Sequence, residues 1–124
     1  MSSGWSFSND KPIYSQIVEQ IKKQIVSGKL KPGDKLLTVR ELASEAEVNP
    51  NTVQRALAEL EQTGLIYSQR TSGRFITDDT ALIRTMREEF AGEKIREFLE
   101  SMKQMGYSKE ETADLIRDYK EGLV

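Results

Sequence analysis

The sequence predicts a mainly α-helical chain with one small β-hairpin, and three observations carry that prediction. Isoleucine recurs every fourth residue at Ile13, Ile17, Ile21 and Ile25, the spacing that lines one face of a helix. Residues suited to capping stand directly ahead of three later helical patterns, at Thr38, Asn49 and Ser108. Two short strand-like runs, Leu65-Ile66-Tyr67-Ser68-Gln69 and Arg74-Phe75-Ile76-Thr77, flank Thr71-Ser72-Gly73 as a hairpin does. A chain of 124 residues holds one ordinary domain and a short appendage, so the expected units are 1–77 and 78–124.

The first helix follows a polar lead-in carrying Trp5 and Phe7, and Pro12 opens it where a missing N–H costs little. Gly28 closes it, and Leu30-Lys31-Pro32-Gly33-Asp34 combines a helix stop with a turn. Thr38 and Glu41 have the spacing of a capping box, in which each side chain bonds the other's backbone N–H. The helix they open is short and carries Val39, Leu42, Ala43 and Ala46 inward. A tight turn, Glu47-Val48-Asn49, leads to a third helix capped by Asn49 and opened by Pro50. Its apolar face is Val53, Ala56, Leu57 and Leu60, and Gly64 ends it before the hairpin.

Beyond the hairpin, Leu82, Met86 and Phe90 recur every four residues, and Ile95, Phe98, Met102 and Met105 alternate three and four in a heptad-like manner. Gly92 is expected to bend this stretch and Gly106 to end it. Ser108-Lys109-Glu110-Glu111 is a second capping box, opening a last helix with Leu115, Ile116 and Tyr119 on its apolar side. The tail is therefore expected to be an αα-hairpin.

Composition removes several classes of function. The chain has neither cysteine nor histidine, which excludes disulfides, thiolate or imidazole metal sites and histidine acid–base chemistry. No paired carboxylates mark a cleft, so no catalytic residue, cofactor or metal is expected, and Glu110-Glu111 reads as a helix-start preference. No apolar run approaches the ~20 residues of a membrane span. Met1 to Asp10 lack a basic start and an apolar stretch, so a cytoplasmic location is expected. The net charge of -2 hides an asymmetry: residues 1–77 hold ten Lys/Arg against eight Asp/Glu, residues 78–124 eight against twelve.

The order of elements in 12–77 points to a winged helix-turn-helix: helix, capped short helix, tight turn, polar-tipped helix, hairpin. The third helix carries Asn51, Thr52, Gln54 and Arg55 near its start. Amides pair bidentately with adenine, Arg with guanine, and a Thr methyl meets the thymine methyl, so such a tip can read base edges in a major groove. Amide N–H groups at the helix start favour a phosphate. Arg40 on the second helix, and Arg70 and Arg74 on the wing, are placed to hold the backbone, with Ser72 and Gly73 at a tip that can enter a minor groove.

These residues resemble a known family. Pro12-Ile13-Tyr14, Gly28-Lys29-Leu30-Lys31-Pro32-Gly33-Asp34-Lys35-Leu36, Val39-Arg40-Glu41-Leu42-Ala43 and Asn49-Pro50-Asn51-Thr52-Val53-Gln54-Arg55-Ala56-Leu57 are similar to the N-terminal domain of GntR-family bacterial transcription factors. The Asn-Pro-Asn-Thr-Val string with a short two-helix tail resembles the YtrA subfamily. The resemblance implies operator contacts from Thr38, Arg40, Asn49, Asn51, Thr52, Gln54 and Arg55, and from the wing residues Arg70, Thr71, Ser72 and Gly73. It also suggests a repressor of neighbouring transporter genes. Two departures stand out: Leu37-Thr38 replaces the family's usual Pro-Ser, and the wing keeps one glycine of a common Gly-Xaa-Gly.

The tail is too short for a deep private ligand pocket, and its apolar stripe is explained by pairing with a second copy. The residues expected at that dimer interface are Leu82, Met86, Phe90, Ile95, Phe98, Met102, Leu115 and Tyr119. The expected partners are thus a double-stranded DNA operator, a second copy of the chain and a small-molecule effector at the dimer interface, with no membrane. The competing function is a winged-helix module that binds protein rather than DNA.

Overall fold

A computed structural model of the chain describes residues 4–121. The reading of the first ten residues therefore rests partly on positions outside them. Seven elements follow in order: α1 Ile13–Val26, α2 Val39–Ala46, α3 Pro50–Gln62, β1 Ile66–Gln69, β2 Gly73–Ile76, α4 Thr80–Gln104 and α5 Lys109–Asp118. The chain divides into two compact units between Thr85 and Met86.

In the first unit α1 and α2 both pack on α3. Ile17, Ile21 and Ile25 of the fourfold series are buried together with Val18, while Ile13 at the helix start is half-buried. Val53, Ala56, Leu57 and Leu60 of α3 have no solvent exposure at all. Leu42, Ala43 and Ala46 of α2 are buried too, and their modest size lets the two short helices approach closely.

The α2–α3 turn depends on one unusual backbone. Glu47 lies in the left-handed region at φ 57°, ψ 48°, a conformation most non-glycine residues avoid. Its N–H donates to the Ala43 carbonyl, closing α2, and Val48 N–H reaches the same oxygen at 3.1 Å. The chain thereby reverses in two residues and delivers Asn49 as the cap of α3.

β1 and β2 pair antiparallel with Ile66 opposite Ile76 and Gln69 opposite Gly73. Gly73, at φ 110°, takes the positive φ that closes a three-residue hairpin loop. A third extended segment lies beside β2, which sequence pattern did not indicate. Gly33 N–H donates to Ile76 O at 2.9 Å, Ile76 N–H to Asp34 O at 2.8 Å and Leu36 N–H to Arg74 O at 2.9 Å. The Pro32-Gly33 turn thus delivers a sheet edge as well as ending the linker from α1.

α4 begins at Thr80, and the carboxylate of the preceding Asp79 accepts from Leu82 N–H at 3.1 Å. Its first turn belongs to the winged unit: Ile83 is buried, and a Cβ on Gly64 would meet Leu82 at 3.7 Å. The compact unit accordingly extends past the expected boundary at Thr77. Gly92 does not interrupt the helix, which continues to Gln104. Within the second unit, α5 carries the expected capping box, Gly106 takes the positive φ that ends α4, and Thr112 is 1% exposed with its hydroxyl donating to Ser108 O.

The Thr38 capping box is complete. Glu41 N–H donates to Thr38 Oγ1 at 3.1 Å and Thr38 N–H to Glu41 Oε1 at 2.9 Å. The Thr38 backbone donor, then its hydroxyl, hold the Glu41 carboxyl below its ordinary range. A carboxyl lowered by folding adds stability that is present at neutral pH and lost as pH falls through that range. Thr38→Ala is expected to cost about 1 kcal/mol in urea unfolding at neutral pH. Glu41→Gln is expected to reduce the loss of stability on acidification, measured by urea midpoints at about pH 7 and about pH 3.

Candidate nucleic-acid interface

The candidate surface begins with α3, because its two faces have opposite fates. With Val53, Ala56, Leu57 and Leu60 enclosed, the 3.6-residue period turns Asn51, Gln54 and Arg55 outward, and all three are exposed. Thr52 is half-buried at the edge of this strip. Arg40 on α2 and Arg70, Thr71 and Ser72 on the wing tip are exposed as well. Among the described residues Arg40, Arg55 and Arg70 make no ion pair, which leaves their charge available to an anionic partner.

The start of α3 differs from expectation. Pro50 has no N–H, Asn51 N–H donates to Asn49 Oδ1 at 2.7 Å, and Thr52 and Val53 N–H both reach Asn49 O. The first amides of α3 are therefore already bonded, and no free donor remains there for a phosphate. Asn49 is committed through its Oδ1 to this cap, as Thr38 is to the cap of α2. Their remaining donors are the groups that each could turn outward.

Arg74 also has a different place. Its Nε lies 3.7 Å from Glu61 Oε1, an ion pair too long for a hydrogen bond, and that nitrogen is buried. Ser68 Oγ donates to the same Glu61 oxygen. Glu61, near the end of α3, thus ties both strands of the wing to the reader helix. Arg74 is thus engaged by Glu61 within the chain. Pattern reading missed Glu61 because an exposed-looking acid late in a helix has no distinguishing spacing.

Further contacts were not legible from periodicity. Arg55 Cζ stands 3.8 Å from the centre of the Tyr14 ring. The lead-in is bound to the helices: Gln16 Nε2 donates to Ser8 O and Lys11 O, Gln20 Nε2 to Ser6 O, and Trp5 Nε1 to Glu45 Oε1 on α2. Trp5 and Phe7 stack with centroids 6.2 Å apart.

The residues expected at a dimer interface fall into two groups. Met86 is 7% exposed and Leu82 is half-buried. Phe90 and Met102 are half-buried, whereas Ile95, Phe98, Leu115 and Tyr119 are exposed, Ile95 at 57% and Tyr119 at 61%. Met105, Tyr107 and Ile116 add to the exposed apolar surface. In the same unit Ile95, Leu99 and Tyr107, with Arg96, Lys103 and Lys109, line a groove of ≈ 530 Å³.

Among the described residues no group of acidic side chains could hold a metal ion, and no helix is long and apolar enough to cross a membrane. Removing the wing's fastener gives a direct check on its role. Glu61→Ala is expected to destabilise the fold by about 1 kcal/mol, a value between exposed and buried pairs. Amide exchange in 66–76 should rise more than in α1.

Comparison with known proteins agrees with this geometry. Residues 13–76 match the bacterial regulatory proteins of the gntR family. A solved GntR family transcriptional regulator from Listeria monocytogenes has a TM-score of 0.83 at 42% identity, covering 92% of this chain and 100% of that one. The HTH-type transcriptional repressor YtrA of Bacillus subtilis is 48% identical over 68 residues, 55% of this chain and 52% of that protein. The DNA-binding domain of AraR, solved in complex with operator ORX1, has a TM-score of 0.55 at 31% identity, covering 58% of this chain and 93% of that one. The chain thus belongs to the GntR family of bacterial regulatory proteins, as a DNA-binding transcriptional regulator with a winged helix-turn-helix.

Proposed function

We propose that the chain is a cytoplasmic repressor that binds an inverted-repeat operator as a homodimer, with α3 in the major groove. The observation that carries this reading is the exposed edge of Asn51, Gln54 and Arg55 on a helix whose opposite face is wholly enclosed. Asn51 and Gln54 read adenine edges, Arg55 a guanine edge and Thr52 a methyl, while Arg40, Arg70, Thr71, Ser72 and Gly73 hold the backbone. The operator complex of the AraR domain and the repressor name of YtrA support the same assignment.

The homodimer rests on the exposed apolar residues of the second unit. Among the described residues, Leu37 apart, every exposed large apolar residue lies there, a concentration that marks an association surface. Pairing through Ile95, Phe98, Leu115 and Tyr119 would place two reader helices on successive turns of DNA, about 34 Å apart. A small-molecule effector seated in the groove beside Ile95 and Tyr107 would act on that spacing. Control of neighbouring transporter genes follows the YtrA resemblance and belongs to the same proposal.

Binding to an inverted repeat selected from random-sequence DNA, titrated across salt, tests the reading. Specific affinity that falls steeply with salt is expected. Arg40→Ala should weaken binding to all sequences and flatten the salt slope, whereas Asn51→Ala and Gln54→Ala should each remove about 1–3 kcal/mol of discrimination at one base position. Absence of sequence preference at every salt concentration contradicts the proposal, as does an identical effect of all three substitutions.

A further inference from the structure

We propose that Tyr14 is a positioning residue for Arg55, fixing the plane of its guanidinium so that the edge is presented to DNA. The inference rests on the reading that Arg55 touches the operator. Tyr14 occupies the first turn of α1 and is half-buried, so its ring is carried by a helix packed against α3. Arg55 projects from α3 with its Cζ 3.8 Å from the ring centre, a distance at which a guanidinium lies against the π face. Among the described residues Arg55 has no carboxylate partner.

The two parts of a guanidinium do different work. Its flat face stacks, while its five N–H donors lie in the plane and point outward. Stacking on Tyr14 therefore uses none of the donors that a guanine edge or a phosphate requires. It also restricts a long side chain before binding, and so reduces the ordering cost that association otherwise incurs. A lysine at position 55 would keep the charge but lose both the stack and the fork. The phenol hydroxyl is not needed for this role, whereas the aromatic face is.

The experiment uses the full chain and an inverted-repeat duplex selected by it from random-sequence DNA. Tyr14→Leu is expected to weaken binding about two- to fivefold, the factor that an exposed cation–π contact corresponds to. Tyr14→Phe should bind as the parent does. In an Arg55→Ala background Tyr14→Leu should have no further effect, because the two residues act as one unit. Urea unfolding reads the folding of each variant, and Tyr14→Met replaces Tyr14→Leu if the latter does not fold. A larger effect on the selected duplex than on an unrelated one assigns the donors to a base edge, and an equal effect assigns them to phosphate. The proposal is overturned if Tyr14→Leu weakens binding equally with and without Arg55, or leaves it unchanged or tighter. If Arg55→Ala itself alters neither affinity nor sequence preference, the assignment of Arg55 to DNA fails, a result distinct from lost coupling.

Discussion

Four side chains of α3, Val53, Ala56, Leu57 and Leu60, are closed to solvent, and the buried isoleucines of α1 lie on a helix packed against theirs. Each large one contributes about 1.5–3 kcal/mol by leaving water. The helix therefore cannot roll about its axis without exposing that surface. This constraint gives Asn51, Gln54 and Arg55 a fixed outward direction, and precision in that direction is what base reading requires. α2 contributes in the same way at smaller scale, since Leu42, Ala43 and Ala46 hold Thr38 and Arg40 at a set distance from α3.

Around that core, polar residues carry structural duties beside any contact with DNA. Asn49 supplies both its side-chain and its backbone oxygen to the first amides of α3, so the helix start is complete without a ligand. Glu61 gathers Ser68 and Arg74 and joins the wing to the helix that it flanks. The wing is held at its base while Arg70, Thr71 and Ser72 at its tip stay exposed. Unpaired arginines at the rim and a paired one at the root separate the work of contact from the work of support.

Most of the architecture was legible because it depends on local rules. Apolar periodicity located α1 and α3, the spacing of Thr38 and Glu41 gave the box that the structure contains, and Gly64 and Gly106 ended their helices as positive-φ residues. What was not legible depends on residues far apart in the chain. The pairing of 33–36 with β2, the stack of Arg55 on Tyr14, the Trp5 contact with Glu45 and the Glu61 fastening leave no periodic trace. The pairing of Arg74 with the half-buried Glu61 was hidden for the same reason, since an arginine beside a turn looks alike whatever anion it faces. Gly92 shows the limit of propensity: its cost of about 1 kcal/mol is small against a helix otherwise rich in strong helix formers. Met86 fits the tail's apolar stripe, yet it is only 7% exposed.

The account's central claim is that α3 reads base edges in the major groove, and methylation interference on the selected operator tests it most directly. Guanine N7 lies in the major groove and adenine N3 in the minor groove, so one reagent modifies both surfaces separately. Methyl groups on guanine N7 within each half-site are predicted to abolish binding, at positions related by the two-fold axis of the repeat. Interference confined to adenine N3, or none within the half-sites, would contradict it.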